Sequence, residues 1–190
     1  IFSLETGRLH AETLSMIDRV KQTYDYDIAL YRPQPEAVER YVRDHGLNAF
    51  YDSVEMRKEC CRIRKVEPLA RAIERFDASI TGRKGFQSAT RAGLPRFEID
   101  NSDAQGRLKI NPLADWSSDD LAAYFVRHGL PAHPLVAEGY PSIGCSPCTT
   151  KVQPGEDPRS GRWRGWGKTE CGIHTAVTPS DDNPANDPAF

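Results

Sequence analysis

The chain has 190 residues, 38% of them hydrophobic, and a formal net charge of -2, which is enough for one α/β domain with a core of its own. No apolar run approaches membrane length, and residues 1–10 (IFSLETGRLH) lack the charged, apolar and small-residue zones of a secretory signal. With so little net charge, no global field recruits nucleic acid or an anionic membrane, so the expected setting is cytoplasmic and any anion must be bound locally.

Taken in chain order, IFSL reads as a short strand ending in the loop Glu5-Thr6-Gly7-Arg8. Leu14, Ile17, Val20 and Tyr24 recur at helical spacing, and Ile28 to Tyr31 is again strand-like. Pro35 to His45 is an amphipathic helix stopped by Gly46. A third helix is expected from Pro68 through Leu69, Ala70 and Ile73, with the preceding segment KECCRIRK leading into it. Ala78 to Thr81, Phe97 to Ile99 and Leu108 to Ile110 are further strands, and Ser117 with Asp120 makes a capping box for a helix stopped by Gly129 and Pro131. Periodicity fades after about Gly139, and residues 175–190 form a polar tail.

Strands alternating with helices predict an α/β fold with a mostly parallel sheet covered by helices on both faces. Ligands of such sheets bind beyond the strand C-termini. The loops Glu5 to Arg8 and Gly82 to Arg91 are therefore candidate walls of a site.

The cysteines narrow the chemistry. Cys60 and Cys61 are adjacent, Cys145 and Cys148 form C-x-x-C, and Cys171 stands apart in Glu170-Cys171-Gly172-Ile173-His174. In a cytoplasmic chain disulfides are a poor default, so this pattern reads as four metal ligands plus one working thiol. Zinc and an iron-sulfur cluster both accept four thiolates. Adjacent side chains diverge, which suits the larger target. Lys168, nearby arginines and His174 favour the Cys171 thiolate, and Glu170 opposes it.

KECCRIRKVEPL, SIGCSPCT, KTECGIH and LETGRLH together resemble the assimilatory adenosine 5'-phosphosulfate reductases, within the wider phosphoadenosine-phosphosulfate reductase family. The likeness runs to about His174, and the four-cysteine set separates the former from typical members of the latter. The resemblance implies an adenine nucleotide alpha-hydrolase-like fold and a 4Fe-4S cluster on Cys60, Cys61, Cys145 and Cys148. It implies a nucleophile at Cys171, which attacks the sulfate sulfur, expels AMP and becomes S-sulfocysteine. A separate thioredoxin, or glutaredoxin, then releases sulfite. Thr6, Gly7, Arg8, Lys65, Lys84, Arg159, Arg162 and His174 are implied on the substrate side, where cations hold phosphosulfate oxygens.

Four departures accompany it. No Gly-Gly pair occurs, so the family's phosphate-binding loop is expected upstream of Ile1 and the reductase domain, 1–174, to be N-terminally incomplete. Glu5 stands where Asp is commoner, Lys84 stands near a family Arg, and the segment from Arg162 to Cys171 is short.

Two alternatives are carried. One is the same chemistry on the 3'-phosphorylated nucleotide. The other is a four-cysteine zinc module using RSGRWRGWGK, residues 159–168, as a single-strand RNA platform, which the overall acidity disfavours. The reductase reading needs no nucleic acid and no membrane, and leaves room for a homo-oligomer.

Overall fold

The computed structural model describes residues 1–88, 91–100 and 105–165. Strand β1 (Phe2–Leu4), helix α1 (Ala11–Tyr24) and strand β2 (Ala29–Tyr31) form a β-α-β unit in which the two strands pair in parallel, Phe2 opposite Ala29. Helix α2 (Pro35–His45) ends where the sequence places its stop: Gly46 has φ 100° and its N–H returns to the Val42 carbonyl at 2.8 Å.

The third helical region departs from expectation. Ser53 accepts a hydrogen bond from Met56 N, starting α3 (Val54–Cys61), which runs through a π-helical segment, Arg62–Val66, into α4 (Glu67–Ile73). The cysteine pair therefore ends one helix rather than leading into the next. Pro68 accounts for the irregularity. Its ring nitrogen cannot donate to the carbonyl four residues back, and its ring crowds that carbonyl. The backbone widens there, with the Glu67 N–H reaching the Arg62 carbonyl, an i to i-5 bond. One consequence is a run of three consecutive buried residues, Ile63, Arg64 and Lys65, where a regular helix would turn one outward.

Strands β3 (Ala78–Ile80), β4 (Phe97–Ile99) and β5 (Leu108–Ile110) form a second sheet in the order β3-β5-β4. β3 and β5 are parallel and β4 is antiparallel to β5. Their junction is polar and tightly held. Lys109 pairs with Asp100 at 2.8 Å with both side chains at or below 10% exposure. The fully buried Asn111 donates to Pro95 O and Glu98 Oε1. Glu98 in turn accepts from Arg83, which fixes the loop after β3. Helix α5 (Ser118–His128) has the expected capping box between Ser117 and Asp120 and ends at Gly129 in the left-handed region.

The short helix α6 (Pro134–Ala137) is capped by a histidine. His133 Nδ1 accepts from Leu135 N, its Nε2 lies 3.0 Å from Thr13 Oγ1 on α1, and so it ties α6 to α1. Burial, and then the neighbouring His10, holds His133 below the ordinary histidine value, with Glu12 acting weakly the other way. A depressed histidine contributes stability that is present above its unfolded pKa and lost as pH falls through the folded value. The thermal midpoint is thus expected to fall between pH 7.5 and 5.5, and to fall less in His133→Asn, which keeps a capping side chain without the titration. Equal slopes would refute this.

The polar tail expected at 175–190 lies outside the described residues. No helix among the described residues is long and apolar enough to cross a membrane.

Candidate active site

The loop after β1 and the C-x-x-C segment meet directly. Leu9 bridges Cys145, Ser146 N donates to Arg8 O at 2.8 Å, and Thr6 Oγ1 lies 3.3 Å from Cys145 Sγ. Gly7 adopts φ 69°, and a side chain there would press on the Arg64 guanidinium, which donates to Thr6 O at 2.7 Å. Thus the strand-end loop, the π segment and the second cysteine pair hold one another in place.

The two cysteine pairs, far apart in sequence, line one small, partly open cavity with Arg8, Phe50, Arg57, Arg64, Lys65 and Pro147. All four thiols are free. Burial lifts Cys60 and Cys148 above the usual thiol value, while Arg64 draws Cys60 back down and Arg57 does so for Cys148. No carboxylate lines the cavity among the described residues, and Arg57, Arg64 and Lys65 are buried. These cations offset part of the cost that burial places on the thiolate form.

The donor set can be tested against a metal group. Among the described residues no three His, Cys, Asp or Glu side chains converge closely enough for a single metal ion. Four thiols lining one shared space are a donor set that accepts a metal group, zinc or iron-sulfur. Cys60, Cys61, Cys145 and Cys148 would hold it.

The sequence-derived site residues fall into four sets. Thr6, Gly7, Arg8, Lys65 and the four cysteines come together here. Arg8 is partly engaged elsewhere: it donates to Leu47 O at 2.6 Å and to Asn48 Oδ1 at 3.3 Å, and it stacks on Phe50. Lys84 lies in the loop after β3, away from the cavity wall, with its Nζ donating to Gly82 O at 3.0 Å. Burial, then Arg91, holds its ammonium below the ordinary lysine value.

Arg159 and Arg162 form the next group. Both guanidinium groups donate to Ser142 Oγ, and Arg162 also reaches Ile143 O, so they brace the segment before Cys145. Arg162 lies flat on Gly144, where any Cβ would strike it. These arginines and Trp163 are buried, at 6%, 7% and 2% exposure, so this part of the 159–168 stretch offers no surface on which bases could stack, while residues 166–168 lie outside the described residues. Cys171 and His174 lie outside the described residues.

Sequence reasoning missed Arg57 and the part played by Trp163, which packs against Cys61 and Cys148. A signal for Arg57 existed. It stands three and four residues before the cysteine pair, the spacing of one helix face, but no helix was expected there.

Residues 1–151 match the family model described as the phosphoadenosine phosphosulfate reductase domain. The chain belongs to this family. It is 56% identical over 188 residues, 96% of this chain and 74% of the relative, to "Adenosine 5'-phosphosulfate reductase" of Burkholderia cepacia. A protein of the same name from Allochromatium vinosum is 49% identical over 178 residues, 92% of this chain and 68% of that one. Among solved structures, phosphoadenylyl-sulfate reductase from Candida auris in its phosphate complex matches with a TM-score of 0.63 and 27% identity, covering 78% of this chain and 69% of that one. This reductase-family chain thus has the α/β fold expected of it, with parallel pairing in β1-β2 and β3-β5 and an antiparallel β4.

Proposed function

We propose that this chain reduces adenosine 5'-phosphosulfate to sulfite and AMP in sulfate assimilation, with a 4Fe-4S cluster on Cys60, Cys61, Cys145 and Cys148 and with Cys171 as nucleophile. The observation that carries the reading is the gathering of both cysteine pairs and four cations around one cavity. The names of the relatives give the nucleotide its identity. The domain is taken to span 1–174, with 175–190 as a tail.

The Cys171 thiolate attacks the sulfur of the phosphosulfate. The new S–S bond forms as the S–O bond breaks, and the electron pair leaves with the AMP phosphate. A donor dithiol of thioredoxin or glutaredoxin type then attacks Cys171 Sγ. Sulfite departs, and the donor's second thiol resolves the mixed disulfide, so the donor is oxidised by two electrons. Held by Cys60, Cys61, Cys145 and Cys148, the cluster would supply a fixed charge distribution to the electrostatics of the site.

Lys65, on the cavity wall, is assigned to the phosphosulfate oxygens, where an ammonium stabilises charge as it passes to the AMP phosphate. Thr6, Gly7 and Arg8 are assigned to the nucleotide side of the same wall. Arg159 and Arg162 shape the Cys145 segment, while Lys84 and His174 complete the substrate side. The protein is taken to work in the cytoplasm, without nucleic acid or membrane, and association of identical copies is compatible with this chemistry.

The 3'-phosphorylated nucleotide is the second reading, carried by the family description and by the Candida auris protein's name. Measuring kcat/KM for both nucleotides with thioredoxin separates the two. The expected preference for the unphosphorylated nucleotide is at least about a hundredfold, since a second buried phosphate needs partners of its own. Equal values, or the reverse order, would move the assignment to the 3'-phosphorylated substrate.

A further inference from the structure

The two cysteine pairs belong to different parts of the chain, and something must hold them at a fixed separation. One side chain touches both the helical side and the C-x-x-C side. Arg57, on α3, is 2% exposed. Its Nε donates to Phe50 O at 2.9 Å and its Nη1 reaches Cys148 Sγ at 3.8 Å. Its guanidinium lies 5.6 Å from the Tyr51 ring centroid and 5.3 Å from that of Trp163.

Each contact restricts a different freedom. The Phe50 carbonyl sets the depth of the guanidinium, the two rings set its plane, and Nη1 is directed at sulfur. Trp163 in turn packs on Cys61 and Cys148. Tyr51 adds a second tie, its hydroxyl donating to Pro147 O between the C-x-x-C cysteines at 3.2 Å. The side chain thereby joins the α3 end carrying Cys60 and Cys61 to the sulfur of Cys148.

We infer that Arg57 is a positioning residue for the iron-sulfur group: it holds Cys148 at its distance from the Cys60-Cys61 pair and donates an N–H to its sulfur in the loaded protein. This rests on the reading that the four cysteines carry a cluster. A guanidinium fork is needed because the plane, the depth and the sulfur contact use different parts of the same group. Lysine, a point charge on a flexible stem, reproduces the charge and loses the geometry.

The test compares wild type, Arg57→Met and Arg57→Lys, all purified without oxygen as full chains. Iron per chain, the visible absorption and electron paramagnetic resonance spectra, and the rate of iron release to a chelator are measured beside the thermal midpoint. Arg57→Met is expected to release iron at least about tenfold faster than wild type, with displaced spectra, and Arg57→Lys to fall between the two. Release at the wild-type rate with unmoved spectra would overturn the inference while leaving the cluster in place. Wild-type protein without iron would overturn the cluster reading and this inference with it. If Arg57→Met does not fold, Arg57→Lys carries the test: iron release equal to wild type overturns the assignment.

Discussion

Cys171→Ser is expected to lower sulfite release by at least about a thousandfold while leaving iron content and thermal midpoint as in wild type. A serine hydroxyl at neutral pH is a far weaker nucleophile than a thiolate, and an O-sulfo product could not be resolved by thiol exchange. Both half-reactions therefore fail together, which is why the effect outranks any loss of a binding contact. Because Cys171 lies outside the cavity's four-cysteine set, removing it leaves the proposed ligands intact. Incubating wild type with the nucleotide and no reductant, followed by mass analysis of peptides, should place one sulfo group on Cys171. A sulfo adduct on Cys60, Cys61, Cys145 or Cys148 instead would contradict the division between ligands and nucleophile.

The second large effect concerns Cys61. It is 5% exposed and packs against Trp163, with Cys148 adjoining. Cys61→Ser is expected to cut iron content to below about a tenth of wild type and turnover by at least about a hundredfold, since an alcohol is a poor ligand for iron where thiolate is required. The thermal midpoint should drop as well, because ligand binding to the folded state alone stabilises it. Cys60→Ser should behave alike. Full iron and full turnover in either variant would remove that cysteine from the ligand set.

Much of this could be read in advance where the signal is local. Helices α2 and α5 follow from Pro35, Gly46, Ser117, Asp120 and Gly129, whose capping roles depend on a few adjacent residues. The strands β1 to β5 were legible as short apolar runs. Their partners were not, since the antiparallel placement of β4 depends on contacts between strands, such as Lys109 with Asp100 and Asn111 with Pro95.

α3 escaped notice because it spans only eight residues and buries just Arg57 and Cys61, leaving no apolar stripe. The two cysteine pairs were recognisable as a set, yet the bond from Thr6 to Cys145 and the burial of Arg159 and Arg162 could not be read from spacing. Arginines next to tryptophan in a Gly-rich stretch look like solvated charge. Only the packing of Arg162 on Gly144 and of Trp163 on Cys61 reveals that they support the cysteine wall.

The most direct measurement is iron, acid-labile sulfide and zinc analysis of the full chain purified without oxygen. The four-thiol cavity predicts about four irons and about four sulfides per chain, with no stoichiometric zinc. One zinc per chain and no labile sulfide would contradict it.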